Sequence, residues 1–331
     1  MTRCAVVGAG AWGTALADLL ARNGHAVRIW AYEWDVVETI NRSHENRRFL
    51  SGHKLNAGVT AFSDLSEALE DAELVTLATP SHVLRPIIRS AGKSFPSGVP
   101  VVVATKGIEA ESLALMTDVA STEIPGSTVV ALSGPSFAIE VANRQPTAVV
   151  VASTDFTAAR FAQQTFSATD FRAYTHGDVT GVEIGGSIKN VMAVATGIAE
   201  GLGLGFNARA ALITRGLAEM TRLGTKLGAE AATLAGLAGM GDLVLTCTGS
   251  LSRNRSVGVE MGRGASLEEV LAGKETVAEG VVTTRSARAL AAREEVEMPI
   301  VDAVYRVLFE GHAPRDAIGS LMTRELRSET D

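Results

Sequence analysis

Apolar positions in this chain fall into two regimes. In the first half they come as short runs, several of them β-branched: Cys4-Ala5-Val6-Val7, Ala26-Val27-Arg28-Ile29-Trp30, Leu74-Val75-Thr76-Leu77-Ala78, and the stretches 99–104, 127–132, 147–152 and 171–174. Segments with apolar residues at helical spacing separate them, as at 155–166. Short apolar runs predict strands, and their alternation with helices predicts a largely parallel, doubly wound sheet. After Asp178 the strand pattern stops. Ala-, Leu-, Gly- and Met-rich segments at helical spacing follow at 182–200, 207–227, 230–234, 267–272, 281–294 and 299–309, which predicts an all-helical second half. A chain of 331 residues is also long for one core. The expected division is 1–179 and 180–331.

The first strand runs directly into Gly8-Ala9-Gly10-Ala11-Trp12-Gly13 and then a helical pattern. Strand, Gly-x-Gly-x-x-Gly turn and helix in that order form a dinucleotide fingerprint. Gly8 permits the tight turn, Gly10 lets the backbone approach a pyrophosphate, and Gly13 lets helix and strand pack closely. The helix N-terminus then offers free N–H groups and a positive dipole end to the phosphates. The fold class is therefore an α/β N-terminal Rossmann-like doubly wound sheet, followed by an all-α C-terminal domain. The second strand ends at Tyr32-Glu33, where an acid reads ribose hydroxyls and a basic residue accepts a 2′-phosphate. Glu33 leans towards NAD, while Tyr32, Arg42, Arg47 and Arg48 keep NADP open.

Composition narrows the partners. A formal charge of -7 argues against a nucleic-acid partner. Cys4 and Cys247 suggest no disulfide framework and fit a reducing cytoplasm. No run of 18 uninterrupted apolar residues occurs, so no membrane span is expected, and the N-terminus does not resemble a signal peptide. The polar segment 41–56 holds His44 and His53 without a second ligand at metal spacing. It reads as solvated surface, and no metal site is expected. An exposed helical face in the second half can support a homodimer.

Candidate chemistry lies at strand ends and in the helical half. Ligands in doubly wound sheets collect at the carboxyl ends of strands. There lie Thr79-Pro80-Ser81-His82, Thr105-Lys106-Gly107 and Ser133-Gly134-Pro135-Ser136-Phe137-Ala138. Gly185-Gly186-Ser187-Ile188-Lys189-Asn190 opens the helical half with a lysine in apolar surroundings, where desolvation lowers its pKa towards proton-transfer use. Asp242 is a charge partner for Lys189 and shares a face with Thr246 if that run is helical. Cys247 has no histidine to activate it. Ser252-Arg253-Asn254-Arg255 reads alone as an exposed loop; beside a lysine site, the forked arginine suits a phosphate.

Taken together, these segments resemble bacterial-type NAD(P)-dependent glycerol-3-phosphate dehydrogenases. The likeness rests on 8–17, 104–109, 133–138, Lys189-Asn190, Asn207-Ala208-Arg209, 212–216, 241–247, 252–255 and Glu279-Gly280. It implies reversible hydride transfer between NAD or NADP and sn-glycerol 3-phosphate, giving dihydroxyacetone phosphate, in the cytoplasm and in support of phospholipid synthesis. It further implies that Lys189 exchanges the proton, that Lys106 touches substrate and cofactor, and that Asp242 orients Lys189. Gly134, Ser136, Ser252, Arg253 and Asn254 then bind substrate together with those three. Gly8, Gly10, Ala11, Trp12, Gly13, Tyr32, Lys106, Ala138, Arg253, Val277 and Glu279 line the cofactor. Two rivals stand beside this reading: a hydroxyacid dehydrogenase whose substrate ends in carboxylate, and a nicotinamide-binding sensor without turnover.

Overall fold

The computed structural model describes residues 1–273, 278–326 and 328–329. Its first half runs β1 (Arg3–Val7), α1 (Ala11–Arg22), β2 (Ala26–Trp30), α2 (Trp34–Ser43), β3 (Val59–Phe62), α3 (Leu65–Leu69), β4 (Leu74–Leu77) and α4 (Leu84–Ala91). It continues with β5 (Val101–Val103), α5 (Met116–Glu123), β6 (Val129–Ser133), α6 (Ala138–Ala142), β7 (Thr147–Ala152), α7 (Phe156–Phe166) and β8 (Phe171–His176). These strands form one sheet in the order β3-β2-β1-β4-β5-β6-β7-β8. The order reverses between β1 and β4, and that switch point opens the crevice where such sheets bind ligands.

The apolar runs are explained by burial on both faces. In β1, Cys4 and Val6 point into the layer under α1, while Ala5 and Val7 point into the opposite layer with Leu84 and Val119. One strand thus feeds two cores, so its sequence is apolar without alternation. Every pairing is parallel except one: β7 runs antiparallel to β6, with Ser133 opposite Val150. Apolar runs carry no direction, so this reversal had no local signal.

The helical half begins with α8 (Val179–Gly201), whose N-cap Asp178 accepts from Gly181 N–H at 2.7 Å. Around it lie α9 (Phe206–Lys226), α10 (Ala231–Leu234), a π-helical turn (Leu237–Gly241), α11 (Asp242–Thr248), α12 (Arg253–Gly262), α13 (Leu267–Leu271), α14 (Glu279–Arg293), α15 (Pro299–Phe309) and α16 (Pro314–Met322). Residues Gly181 to Ala199 of α8 are buried throughout, which accounts for a helix apolar on every side. Its closest neighbour is α12. A Cβ on Gly197 would lie 2.1 Å from Arg255 O, and one on Gly258 would lie 2.2 Å from Val194 O. Facing glycines therefore let the two backbones touch. Ile108 and Leu115, from the sheet half, also pack into the helical core.

The structure departs from the sequence reading at two places. His44 and His53 are half-buried, not solvated. His53 Nε2 lies 3.3 Å from the buried Asp18 carboxylate, which also accepts from Arg22 and from Asn56 N–H and so draws the 44–56 segment onto α1. Ser252-Arg253-Asn254-Arg255 is not a loop but the start of α12, with buried Ser252 as its N-cap. The stretch Ala231–Thr248 has a mean hydropathy of 1.3, enough by length and composition for a span. In the fold it is broken at Gly236 and carries the fully buried Asp242 against α8.

Candidate active site

The centre of the site is one carboxylate shared by two lysines. Lys106 follows β5, Lys189 stands midway along α8, and Asp242 opens α11 after the π-helical turn. Asp242 Oδ1 accepts from Lys189 Nζ at 2.5 Å and its Oδ2 accepts from Lys106 Nζ at 2.6 Å. Asp242 is fully buried and Lys189 is 8% exposed. Burial lowers the Lys189 pKa to about 8; the Asp242 charge opposes that shift and the Lys106 charge adds to it. Thr246, one turn after Asp242, accepts from Lys189 Nζ at 3.0 Å and donates to the Asp242 carbonyl at 2.6 Å. With both lysines charged the cluster carries one net positive charge. Lys106 places it at the carboxyl end of β5, the side on which sheets of this kind bind ligands, a setting for an anionic substrate.

Close approach makes the cluster possible. A Cβ on Gly186 would sit 2.4 Å from Ser133 Oγ and 3.4 Å from Lys106 Cδ, so α8 reaches the strand ends only with glycine there. The hydroxyl of Ser187 then donates to Gly107 O at 3.1 Å and accepts from Gly107 N–H at 3.0 Å, which holds the lysine-bearing loop to the helix. Lys106 Nζ also donates to Gly134 O at 3.3 Å, and Ser136 Oγ donates to the same carbonyl at 3.2 Å. Sequence reasoning passed over Ser187 as a contact. A small polar residue between Gly186 and Lys189 on an apolar helix was its only signal.

The helical side supplies further polar groups. Asn254 Nδ2 donates to Asn190 Oδ1 at 2.9 Å, and Asn254 Oδ1 accepts from Gly280 N–H at 2.9 Å. Arg253 is exposed as a whole residue, yet the protein around its guanidinium lowers its pKa by desolvation, and the Glu279 charge opposes that. Arg255 is turned away from the cluster and pairs with Glu200 at 2.6 Å. Glu279 Oε2 accepts from Ser81 Oγ at 2.8 Å, which links α14 to the loop after β4; burial raises its pKa, and these hydrogen bonds oppose that. Cys247 is fully buried and its thiol is pushed up to about 12 by burial, so it is no nucleophile.

The glycine turn fits a dinucleotide. Gly8 adopts φ +110°, where a side chain is strained, and a Cβ on Gly13 would lie 1.9 Å from Gly8 O. In contrast, nothing lies within 4 Å of a Cβ placed on Gly10, so the space before the α1 N-terminus is open. Ala11 and Trp12 begin α1 beside Ala138, and the buried Trp12 Nε1 has no protein partner among the described residues. At the far end, Tyr32 is 83% exposed and Glu33 caps α2 through its backbone position. The three nearby arginines each have a carboxylate neighbour: Arg42 with Glu38 at 3.8 Å, Arg47 with Glu45 at 3.5 Å and Arg48 with Asp35 at 3.5 Å. Hydrogen bonds join Lys106, Lys189, Asp242, Gly134 and Ser136. Asn254 binds Asn190, the neighbour of Lys189 in α8, and Glu279 binds Ser81. Arg253 adjoins Asn254, while the Ser252 hydroxyl is taken up in capping α12. Tyr32 stands apart at the end of β2, and Val277 lies outside the described residues.

Comparison with known proteins gives the family. The models for the N-terminus and C-terminus of NAD-dependent glycerol-3-phosphate dehydrogenase match residues 3–159 and 178–319. The chain is 52% identical to the glycerol-3-phosphate dehydrogenase [NAD(P)+] of Syntrophotalea carbinolica over 329 residues, covering 98% of this chain and 99% of that protein. It is 50% identical to the enzyme of that name from a Geobacter species over 330 residues, 99% and 98% of the two chains. The crystal structure of glycerol-3-phosphate dehydrogenase from Coxiella burnetii matches with a TM-score of 0.94 at 40% identity, covering 98% and 99%. This chain belongs to the NAD-dependent glycerol-3-phosphate dehydrogenase family.

Proposed function

We propose that the chain reduces dihydroxyacetone phosphate reversibly to sn-glycerol 3-phosphate with NADH or NADPH. The observation that carries the reading is the Lys106–Asp242–Lys189 cluster, with Asn254 and Arg253 on its helical side. The Gly8-Ala9-Gly10 turn and the start of α1 would hold a nicotinamide dinucleotide, whose chemistry when bound would be hydride transfer. Lys189 Nζ gives its proton to the ketone oxygen as negative charge develops there, and takes it back in the oxidation. With a pKa of about 8 it is mostly protonated at neutral pH yet releases a proton readily. Asp242 orients Lys189 and keeps it from being driven neutral, while Lys106 holds the other carboxylate oxygen and adds positive charge towards the substrate. Arg253 offers a planar fork to the phosphate, and Ser136, Gly134, Ser252 and Asn254 shape the pocket around it.

The boundary between cofactor-binding and substrate-binding halves is proposed at 179, between β8 and the body of α8. The product is the backbone of glycerophospholipids, so we place the enzyme in the supply of that synthesis. Two free, buried cysteines suit a reducing cytoplasm.

The test follows NADH and NADPH absorbance separately with dihydroxyacetone phosphate, using ketopantoate as the carboxylate-bearing competitor. Oxidation with the triose phosphate alone is expected. Turnover of ketopantoate instead would move the assignment to a hydroxyacid reductase, and cofactor binding without either turnover would favour a sensor.

A further inference from the structure

Asn46 is fully buried although it lies in the polar segment after α2. Its amide Nδ2 donates to Ala9 O at 2.8 Å and to Thr14 Oγ1 at 2.8 Å, and its Oδ1 accepts from Phe49 N–H at 3.0 Å. Thr14 Oγ1 in turn donates to Ala9 O at 3.2 Å. Two side chains from different elements therefore converge on one carbonyl inside the Gly8-Ala9-Gly10 turn. No cis peptide bond occurs among the described residues. In a planar trans peptide the C=O and N–H point to opposite sides. Fixing Ala9 O against Asn46 and Thr14 therefore turns the Gly10 N–H to the other side of the turn, and a Cβ on Gly10 would meet nothing within 4 Å. No hydrogen bond to another protein group is formed by that N–H among the described residues.

We propose that Asn46 is a positioning residue for the cofactor. By pinning Ala9 O together with Thr14, it holds the Gly10 N–H in the orientation that donates to the pyrophosphate. Asn46 touches neither cofactor nor substrate and acts only through the turn. This rests on the reading above that the turn holds a dinucleotide.

The test compares wild type with Asn46→Ala, Asn46→Asp and the near-isosteric Thr14→Val. Titration of protein fluorescence with the reduced dinucleotide that wild type prefers, and calorimetry with ADP-ribose, give affinities independent of turnover. Steady-state kinetics gives kcat and both KM values. Loss of one anchor on a buried carbonyl is expected to weaken dinucleotide and ADP-ribose binding about tenfold. The KM for dihydroxyacetone phosphate and kcat at saturating cofactor should stay within about twofold, as a positioning role requires. Asn46→Asp should be no better than Asn46→Ala, because a carboxylate cannot donate to Ala9 O. Thr14→Val should show the same selective loss, smaller in size, and it carries the test if the Asn46 variants do not fold. Unchanged affinities in folded variants overturn the proposal. An equal fall in kcat and both affinities, tracking a lower Tm, also overturns it by assigning the amide to the fold alone. Wild type that binds no dinucleotide overturns the functional reading itself, which separates the two failures.

Discussion

Lys189 Nζ lies 2.5 Å from Asp242 Oδ1, although the two residues are 53 positions apart in the chain. The contact exists because α8 and α11 meet just where a glycine lets α8 reach the strand ends. A buried lysine alone would shed its proton. Burial lowers its pKa most; Asp242 opposes that and keeps the amine charged, while Lys106 on the other oxygen adds to the lowering. The balance sets an acid suited to a ketone at neutral pH.

Lys189→Met should lower kcat for reduction by about 10²–10³, the loss that follows removal of one donor to a developing oxyanion. Cofactor affinity should change by less than about twofold, since Lys189 Nζ bonds to Asp242 and Thr246 and not to the glycine turn. Near-normal turnover in a folded variant would sink the assignment.

The pH profile follows from the same group. Reduction needs protonated Lys189, so its rate should fall about tenfold per unit above a pKa of about 8. Oxidation needs the neutral amine and should rise to a plateau above about 8. Asp242→Asn removes the charge that holds the proton, so both limbs should move to lower pH. Limbs that stay in place would show that another group titrates.

Gly10→Val separates binding from folding. The position has φ -65° and ψ 178° and no neighbour within 4 Å of a Cβ, so the variant should melt near the wild-type Tm. Its side chain would occupy the pyrophosphate space, and dinucleotide affinity should fall more than about tenfold. Unaltered affinity would place the phosphates elsewhere.

Gly258→Ala tests the α8–α12 contact. The new methyl would lie 2.2 Å from Val194 O, which is backbone and cannot swing aside. Overpacking of this kind costs about 1–3 kcal/mol. Because α12 starts at Arg253 and Asn254, the KM for dihydroxyacetone phosphate should rise more than that for the cofactor. Equal KM values in a destabilised variant would detach α12 from substrate binding.

Glu183 is a buried carboxylate on α8 that accepts from Thr117 N–H at 2.9 Å and from the Thr117 hydroxyl. Burial raises its pKa from 4.5 to about 7. Between those values the folded protein binds more protons than the unfolded chain, so stability falls as pH rises through that window. Glu183→Gln keeps one acceptor for Thr117 N–H and one donor for its hydroxyl, and removes the titration. Its Tm gain over wild type should be larger at pH 8 than at pH 5.5, by about 2 °C or more. A constant difference across that range would contradict the assignment.

Local pattern carried much of this protein. Apolar runs alternating with helical segments, the Gly8-x-Gly10-x-x-Gly13 turn and the lysine on an apolar helix all depend on neighbours in sequence, so they could be read directly. So could α9, α14 and α15, whose apolar spacing recurs over whole turns. What local pattern could not express was which distant groups meet. The antiparallel β7, the helical start at Ser252, the Ser187 clasp on Gly107 and the burial of Asn46 follow from packing across the fold. Lys106 and Asp242 are 136 positions apart. Their meeting depends on a burial cost that is offset only when both partners arrive together. Residue types and spacing determined the layers and named most of the chemical groups. Tertiary structure alone decided which of those groups share a carboxylate and which merely hold the backbone in place, because those choices are set by desolvation and close contact between elements.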